Sequence, residues 1–148
     1  MLTPSMEDYL EKIYELMKEK GYARVSDIAS SLSVQPSSVT KMIQKLDEQN
    51  YVTYEKYRGI ILTQRGEQMG HLMKQRHRML EMFLRMLDVS EKTIEKDVEG
   101  IEHHVSPSTM DSLKSLVLFF EQYPECLEEY RQFRQQLRDL SATDGESR

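Results

Sequence analysis

Apolar positions recur at helical spacing through most of this chain, and the places where that spacing fails mark its parts. Met6, Leu10, Ile13 and Met17 form a core-facing stripe from Ser5 to Lys20. Thr3 or Ser5 can cap its start, with Pro4 near the first turn, and Gly21 ends it. Asp8, Glu11 and Glu15 fall on the side away from the stripe. Val25–Leu32 reads as a short helix and Ser33-Val34-Gln35 as a turn. Pro36 suits the first position of a third helix that runs to about Gln49, with Val39, Met42, Ile43 and Leu46 inward. After Asn50 the period becomes strand-like. Residues 51–56 and 60–62 are rich in β-branched and aromatic side chains, with Tyr57-Arg58-Gly59 as a hairpin turn between them.

The second half returns to helical spacing. Thr63 can cap a long helix to Leu87, with Met69, Leu72, Met73, Leu80, Phe83, Leu84 and Leu87 on one stripe. Ser90 caps a helix over residues 90–105 whose stripe is Ile94, Val98, Ile101 and Val105, and Ser106-Pro107 breaks it. Residues 108–122 and 124–140 supply two further helices, and 141–148 read as a disordered polar tail. The expected fold is mainly α: a winged helix-turn-helix with a two-stranded β wing over 1–71, and an all-α domain over 72–140.

Charge changes the picture by its placement. The net charge of −5 argues at first against a nucleic-acid partner. Residues 1–75 nevertheless balance ten basic against ten acidic side chains, and the whole excess lies in 76–148. Within 23–65, six basic residues face four acidic ones, so DNA contact belongs to that segment. In a winged helix-turn-helix the second helix of the motif enters the major groove with its N-terminal residues at base edges. Gln35, Pro36, Ser37, Ser38, Thr40 and Lys41 stand there, short hydroxyls allowing close approach and the lysine meeting phosphate or guanine. Lys56 and Arg58 of the wing can reach the backbone of a double-stranded operator. The plain alternative is a helical and hairpin core with an ordinary polar surface, but the hairpin falls where a wing should.

A second cluster lies in the acidic half. On a helix over 90–105, Glu99, Glu102 and His103 share one face at the border of the apolar stripe. Three ionisable groups at a buried border are costly without compensation. Alone, Asp8 and Glu11 read as solvated carboxylates, and His77 as a histidine satisfied by a hydrogen bond. Taken together, the six side chains offer oxygen and imidazole nitrogen and no sulfur, the donor set of a hard divalent cation such as Mn²⁺. Glu81, one turn after His77, reads equally as a supporting residue or as surface.

Several motifs resemble those of the DtxR/MntR family of metal-dependent repressors. They are Thr3-Pro4-Ser5-Met6-Glu7, residues 21–29, Pro36–Met42, the wing Tyr54–Gly59 and, most specifically, Asp97–His104. The likeness runs to about residue 140. It implies a homodimer, with residues 72–140 as its all-α dimerisation domain, that represses manganese-uptake genes when the metal is plentiful. It also implies two adjacent Mn²⁺ positions per subunit between the lobes, built from Asp8, Glu11, His77, Glu99, Glu102 and His103, with Glu11 and Glu102 bridging. Iron-sensing members carry methionine where Asp8 stands and cysteine where Glu99 stands, and many have a further C-terminal domain for which this chain has no room.

Other readings are narrower. An enzyme is not expected: Glu99-x-x-Glu102-His103 is superficially like the inverted zinc-protease motif, which requires histidine in place of Glu99. A di-iron site would need paired Glu-x-x-His motifs, and no glycine-rich phosphate loop is present. The remaining alternatives are an iron- or zinc-responsive regulator on the same scaffold, or a winged-helix regulator answering an organic ligand or the thiol of Cys126. With one cysteine there is no internal disulfide. Met1–Ser5 is no signal sequence and no apolar run suits a bilayer, so a cytoplasmic protein without membrane or organic cofactor is expected.

Overall fold

The computed structural model describes residues 2–55 and 57–146. Its element order is α1 (Pro4–Lys20), α2 (Val25–Leu32), α3 (Pro36–Glu48), β1 (Val52–Glu55), β2 (Gly59–Leu62), α4 (Gln64–Met86), α5 (Glu91–Ile101), α6 (Pro107–Gln122) and α7 (Pro124–Glu146). The chain divides into two compact units, Met1–Arg76 and His77–Arg148. That division falls inside α4, as does the boundary expected at 71/72.

The first unit is built around Leu10, Ile13, Ile28, Val39, Leu46, Val52 and Ile60, all essentially without solvent contact. Thr3 caps α1 by accepting from the Met6 amide, and Gly21 closes the helix in the left-handed conformation, φ 77°, its amide donating to the Met17 carbonyl. Strands β1 and β2 pair antiparallel, Val52 opposite Leu62 through to Glu55 opposite Gly59. Ile60 also donates to the Ala23 carbonyl, tying the wing to the start of α2. Gly59 sits at φ 80° with the Ala23 carbonyl oxygen 3.0 Å from where a Cβ would lie, so both conformation and space require glycine.

The hairpin leads directly into α4. Thr63 accepts from the Gly66 amide, as its expected cap role requires, while its own hydroxyl donates to the Asn50 carbonyl. The helix then packs closely because Gly66 and Gly70 leave room for Tyr51 and Tyr14.

The second unit has its own core of Leu80, Ile94, Val98 and Met110, with Leu84, Val89, Val105 and Leu113 around it. Ser90 and Ser106 cap α5 and α6 by accepting from Thr93 and Thr109 amides. Arg131 pairs with Asp88 at 3.2 Å, and Arg134 donates to the Leu87 carbonyl, which fastens α7 to the end of α4. Among the described residues no helix is long and apolar enough to cross a membrane.

Four expectations are corrected. Helix α5 ends at Ile101 rather than reaching 105. Pro107 disfavours helical backbone at Ser106, which is extended at ψ 156°, and the His104 amide tightens the last turn by donating to the Ile101 carbonyl. Ile101 is exposed, and the inward line is Ile94, Val98 and Glu102 at i, i+4 and i+8. Leu72 of the α4 stripe is also exposed. The segment 141–146 continues α7 as helix instead of forming a disordered tail: no proline interrupts it, and Ser141 and Thr143 hydroxyls donate to carbonyls of the preceding turn. Ser147 and Arg148 lie outside the described residues.

Candidate metal centre and DNA-contacting helix

The centre of the second unit's polar cluster is Glu102. As the residue that ends α5 it keeps helical backbone, φ −56° and ψ −31°, so its side chain follows Ile94 and Val98 into the interior. Only 2% of it is exposed. Its Oε2 lies 2.8 Å from His77 Nδ1 on α4. Its Oε1 has His103 Nε2 3.3 Å away but out of line for donation, and is left without a hydrogen bond. Glu99, Glu102 and His103 each bring a ligand-type atom within 4.8 Å of the others, and His77 does the same with Glu102. The His103 side chain is 6% exposed.

The donor chemistry answers whether a cation fits. A buried carboxylate oxygen without a hydrogen bond loses its hydration with nothing in return. Here that oxygen sits among a second carboxylate and two imidazoles, with no lysine or arginine among those four residues. Hard oxygen and imidazole donors at this spacing suit a divalent ion of the Mn²⁺ type and lack the sulfur that softer ions favour. The residues fit the group.

On the first unit, Asp8 and Glu11 stand three residues apart on α1, on one side of the helix. The sequence places Glu11 on the solvated face, but it is almost wholly buried at 9% exposure.

Beside the cluster, His77 Nε2 lies 2.7 Å from Glu81 Oε1, one turn on. Arg85 Nη2 donates to Glu81 Oε2 at 3.2 Å, and Arg85 also forks onto both oxygens of Glu91, at 2.7 and 3.1 Å. The hydrogen bond from Arg85 holds the Glu91 carboxyl below its ordinary value, and the same bond raises the Arg85 guanidinium. The sequence carried Glu81 only as an undecided residue, because what fixes it is a chain of contacts, His77 and Arg85 one turn either side on α4 and, through Arg85, Glu91 of α5.

The segment expected to contact DNA lies at the start of α3. Gln35 precedes α3 in extended conformation, Pro36 opens it, and Ser37, Ser38, Thr40 and Lys41 are all exposed on its first two turns. No side chain caps this helix start, and the Ser38 and Val39 amides turn back onto the Gln35 carbonyl. Thr40 donates its hydroxyl to the Pro36 carbonyl at 3.1 Å, which leaves its oxygen to outside partners mainly as an acceptor. Arg58 projects from the wing beside Tyr57, which is 92% exposed. Lys56 lies outside the described residues.

Residues 1–60 match the model of the iron-dependent repressor N-terminal DNA-binding domain. Residues 63–131 match the iron-dependent repressor metal-binding and dimerisation domain. The HTH-type transcriptional regulator MntR of Geobacillus kaustophilus (strain HTA426) is 57% identical over 131 residues, 88% of this chain and 93% of that one. The chain belongs to the iron-dependent repressor family. This is the DtxR/MntR family its motifs resemble, and it is a family of DNA-binding regulators, not enzymes. MntR of Bacillus subtilis (strain 168) is 58% identical over 122 residues, 82% of this chain and 86% of that protein.

Among solved structures, the manganese regulator SloR superposes with a TM-score of 0.71 at 31% identity over 80% of this chain. A manganese-dependent transcriptional repressor in complex with manganese does so at 0.65 and 26% identity over 76%. The chain spans about half the length of these two, 55% and 52% respectively. Family membership brings a DNA-binding domain, a metal-binding domain and a dimerisation surface to this chain. The exposed Leu116 and Phe119 of α6, Phe133 and Leu137 of α7, and Tyr123 between the two helices are the kind of apolar area a second copy covers.

Proposed function

We propose that the protein is a manganese-responsive, DNA-binding transcriptional repressor of metal-uptake genes, acting in the cytoplasm as a homodimer on a double-stranded operator. The observation that carries the metal half of this reading is the buried, unbonded Oε1 of Glu102 beside Glu99, His103 and His77. MntR-named relatives at 57–59% identity and the solved manganese regulators support manganese as the signal. In this reading Asp8 and Glu11 of the first unit join Glu99, Glu102, His103 and His77 of the second, forming two adjacent Mn²⁺ positions per subunit.

Bound Mn²⁺ would supply positive charge at the point where these carboxylates meet. Asp8 and Glu11 would then carry α1, and with it the DNA-binding unit, into one orientation relative to the dimerisation unit. A dimer held so presents its two copies of α3 about one helical turn of DNA apart. Coupling arises because one orientation binds both metal and DNA better, without contact between the two ligands. Asp8 and Glu99 set the preference, since both are hard oxygen donors where softer ones would favour iron or zinc.

Operator binding measured against matched free concentrations of Mn²⁺, Fe²⁺, Zn²⁺ and Cd²⁺, and in chelator, tests the reading. Binding should be lost in chelator and restored by Mn²⁺ with the correct operator specificity. Metal-independent operator binding would overturn it. Activation by Fe²⁺ or Zn²⁺ but not by Mn²⁺ would leave the scaffold and replace the signal.

A further inference from the structure

We propose that Glu81 is a positioning residue for His77, itself held by Arg85 and Glu91, and that it directs Nδ1 of the ring toward Glu102. The proposal rests on the reading of His77 as a metal ligand and adds which nitrogen it offers and why.

His77, Glu81 and Arg85 follow one another at i, i+4 and i+8 along one face of α4. Both ring nitrogens are engaged: Nδ1 at 2.8 Å from Glu102 Oε2 and Nε2 at 2.7 Å from Glu81 Oε1. A neutral imidazole has one lone pair and one N–H, and the acceptor for the N–H decides which nitrogen is left to coordinate. With Nε2–H donating to Glu81, Nδ1 is the nitrogen left for a cation, which would take the place of the proton Nδ1 shares with Glu102 Oε2 in the metal-free protein. Glu81 in turn has little freedom. Its other oxygen accepts from Arg85, and Arg85 is forked onto Glu91 in the first turn of α5, the helix that carries Glu99 and Glu102. The ring of His77 is thus referenced to the helix that brings the other ligands. Partners of this kind fix ring orientation and typically contribute 10- to 100-fold in metal affinity.

The test uses full-length protein and metal alone, without DNA. Mn²⁺ affinity is measured for wild type, Glu81→Ala, Glu81→Gln and His77→Ala, together with imidazole ¹⁵N NMR of the Zn²⁺-loaded forms. Glu81→Ala should weaken Mn²⁺ binding by about 10- to 100-fold, and its His77 signal should show mixed tautomers. Glu81→Gln keeps an acceptor for Nε2–H, so it should retain affinity within a few-fold and the Nδ1-bound, Nε2–H pattern. Wild-type affinity in Glu81→Ala, even with a lowered unfolding temperature, would make Glu81 merely structural and overturn the proposal. Equal losses in Glu81→Ala and Glu81→Gln would overturn it by making the carboxylate itself a ligand. If His77→Ala binds metal as wild type does, the metal-site reading has failed instead.

Discussion

Replacing Glu102 by leucine should separate what this residue does for the fold from what it does for the site. The carboxylate is 2% exposed at the end of the line Ile94, Val98, Glu102, with one oxygen near His77 and the other unbonded. Burying a charged carboxylate costs several kcal/mol, of which a charge-assisted hydrogen bond returns about 1.5–3 kcal/mol. A leucine there would add about 1.5–3 kcal/mol of apolar burial against Ile94 and Val98. Against this, His77 Nδ1 loses its partner, at about 1–3 kcal/mol and toward the low end because that side chain is 26% exposed and water can reach it. The metal-free variant should therefore range from unchanged to about 3 kcal/mol more stable than wild type. At roughly 2–4 °C per kcal/mol for a chain of this size, that is a rise of up to about 10 °C in unfolding temperature. The response to metal should go the other way. Wild type gains about 2.7 kcal/mol when free metal reaches a hundred times its dissociation constant, and the variant should gain almost none. Thermal unfolding followed by circular dichroism, at one protomer concentration, in chelator and in excess Mn²⁺, measures both. Destabilisation of more than about 2 kcal/mol in chelator would show that Glu102 supports the fold. A metal-induced shift equal to wild type would remove it from the ligand set. Glu102→Gln, which keeps the shape, guards against a misfit of leucine.

Three further outcomes are expected. Lys41→Ala should weaken operator binding by about 1–3 kcal/mol if the lysine reads a base edge, or weaken all sequences and reduce the salt slope by about one if it meets phosphate; metal affinity without DNA should not move, and unchanged operator binding would remove α3 from recognition. Gly66→Ala would put a Cβ 1.9 Å from the Tyr51 carbonyl oxygen, which accepts from the Thr63 amide, so urea unfolding should show a loss of about 3 kcal/mol or more, and a change under about 0.5 kcal/mol would contradict that packing. The Glu91 carboxyl is held below its ordinary value of 4.5 by Arg85, so its contribution to stability is complete above that value and disappears as pH falls through the lowered one; Glu91→Gln should lower stability slightly at pH 7 and not at pH 2, and an equal loss at both would exclude the ion pair as the cause.

Local pattern was enough for most elements. The stripe Met6, Leu10, Ile13, the proline opening α3, the change of period after Asn50 and the serine and threonine caps are each decided within about one turn of chain, where neighbouring side chains and backbone dominate. The ligand types at Glu99, Glu102 and His103 were legible for the same reason: three ionisable groups beside an apolar stripe are conspicuous in any helical register. Which of them faces inward was not. Ile101 and Glu102 exchange the places that hydrophobicity alone assigns them, because α5 packs its Ile94 and Val98 line against Leu80 of α4, and the helical backbone at Glu102 continues that line inward beside His77 and leaves the isoleucine in solvent. Glu11 is buried against the same expectation. The chain from Glu91 through Arg85 and Glu81 to His77 joins residues up to 14 positions apart across two helices, and no periodicity within one helix encodes it. Sequence determined the parts and the chemistry they carry; tertiary packing alone decided which polar groups lose water together, and that loss is what turns scattered acids into a site.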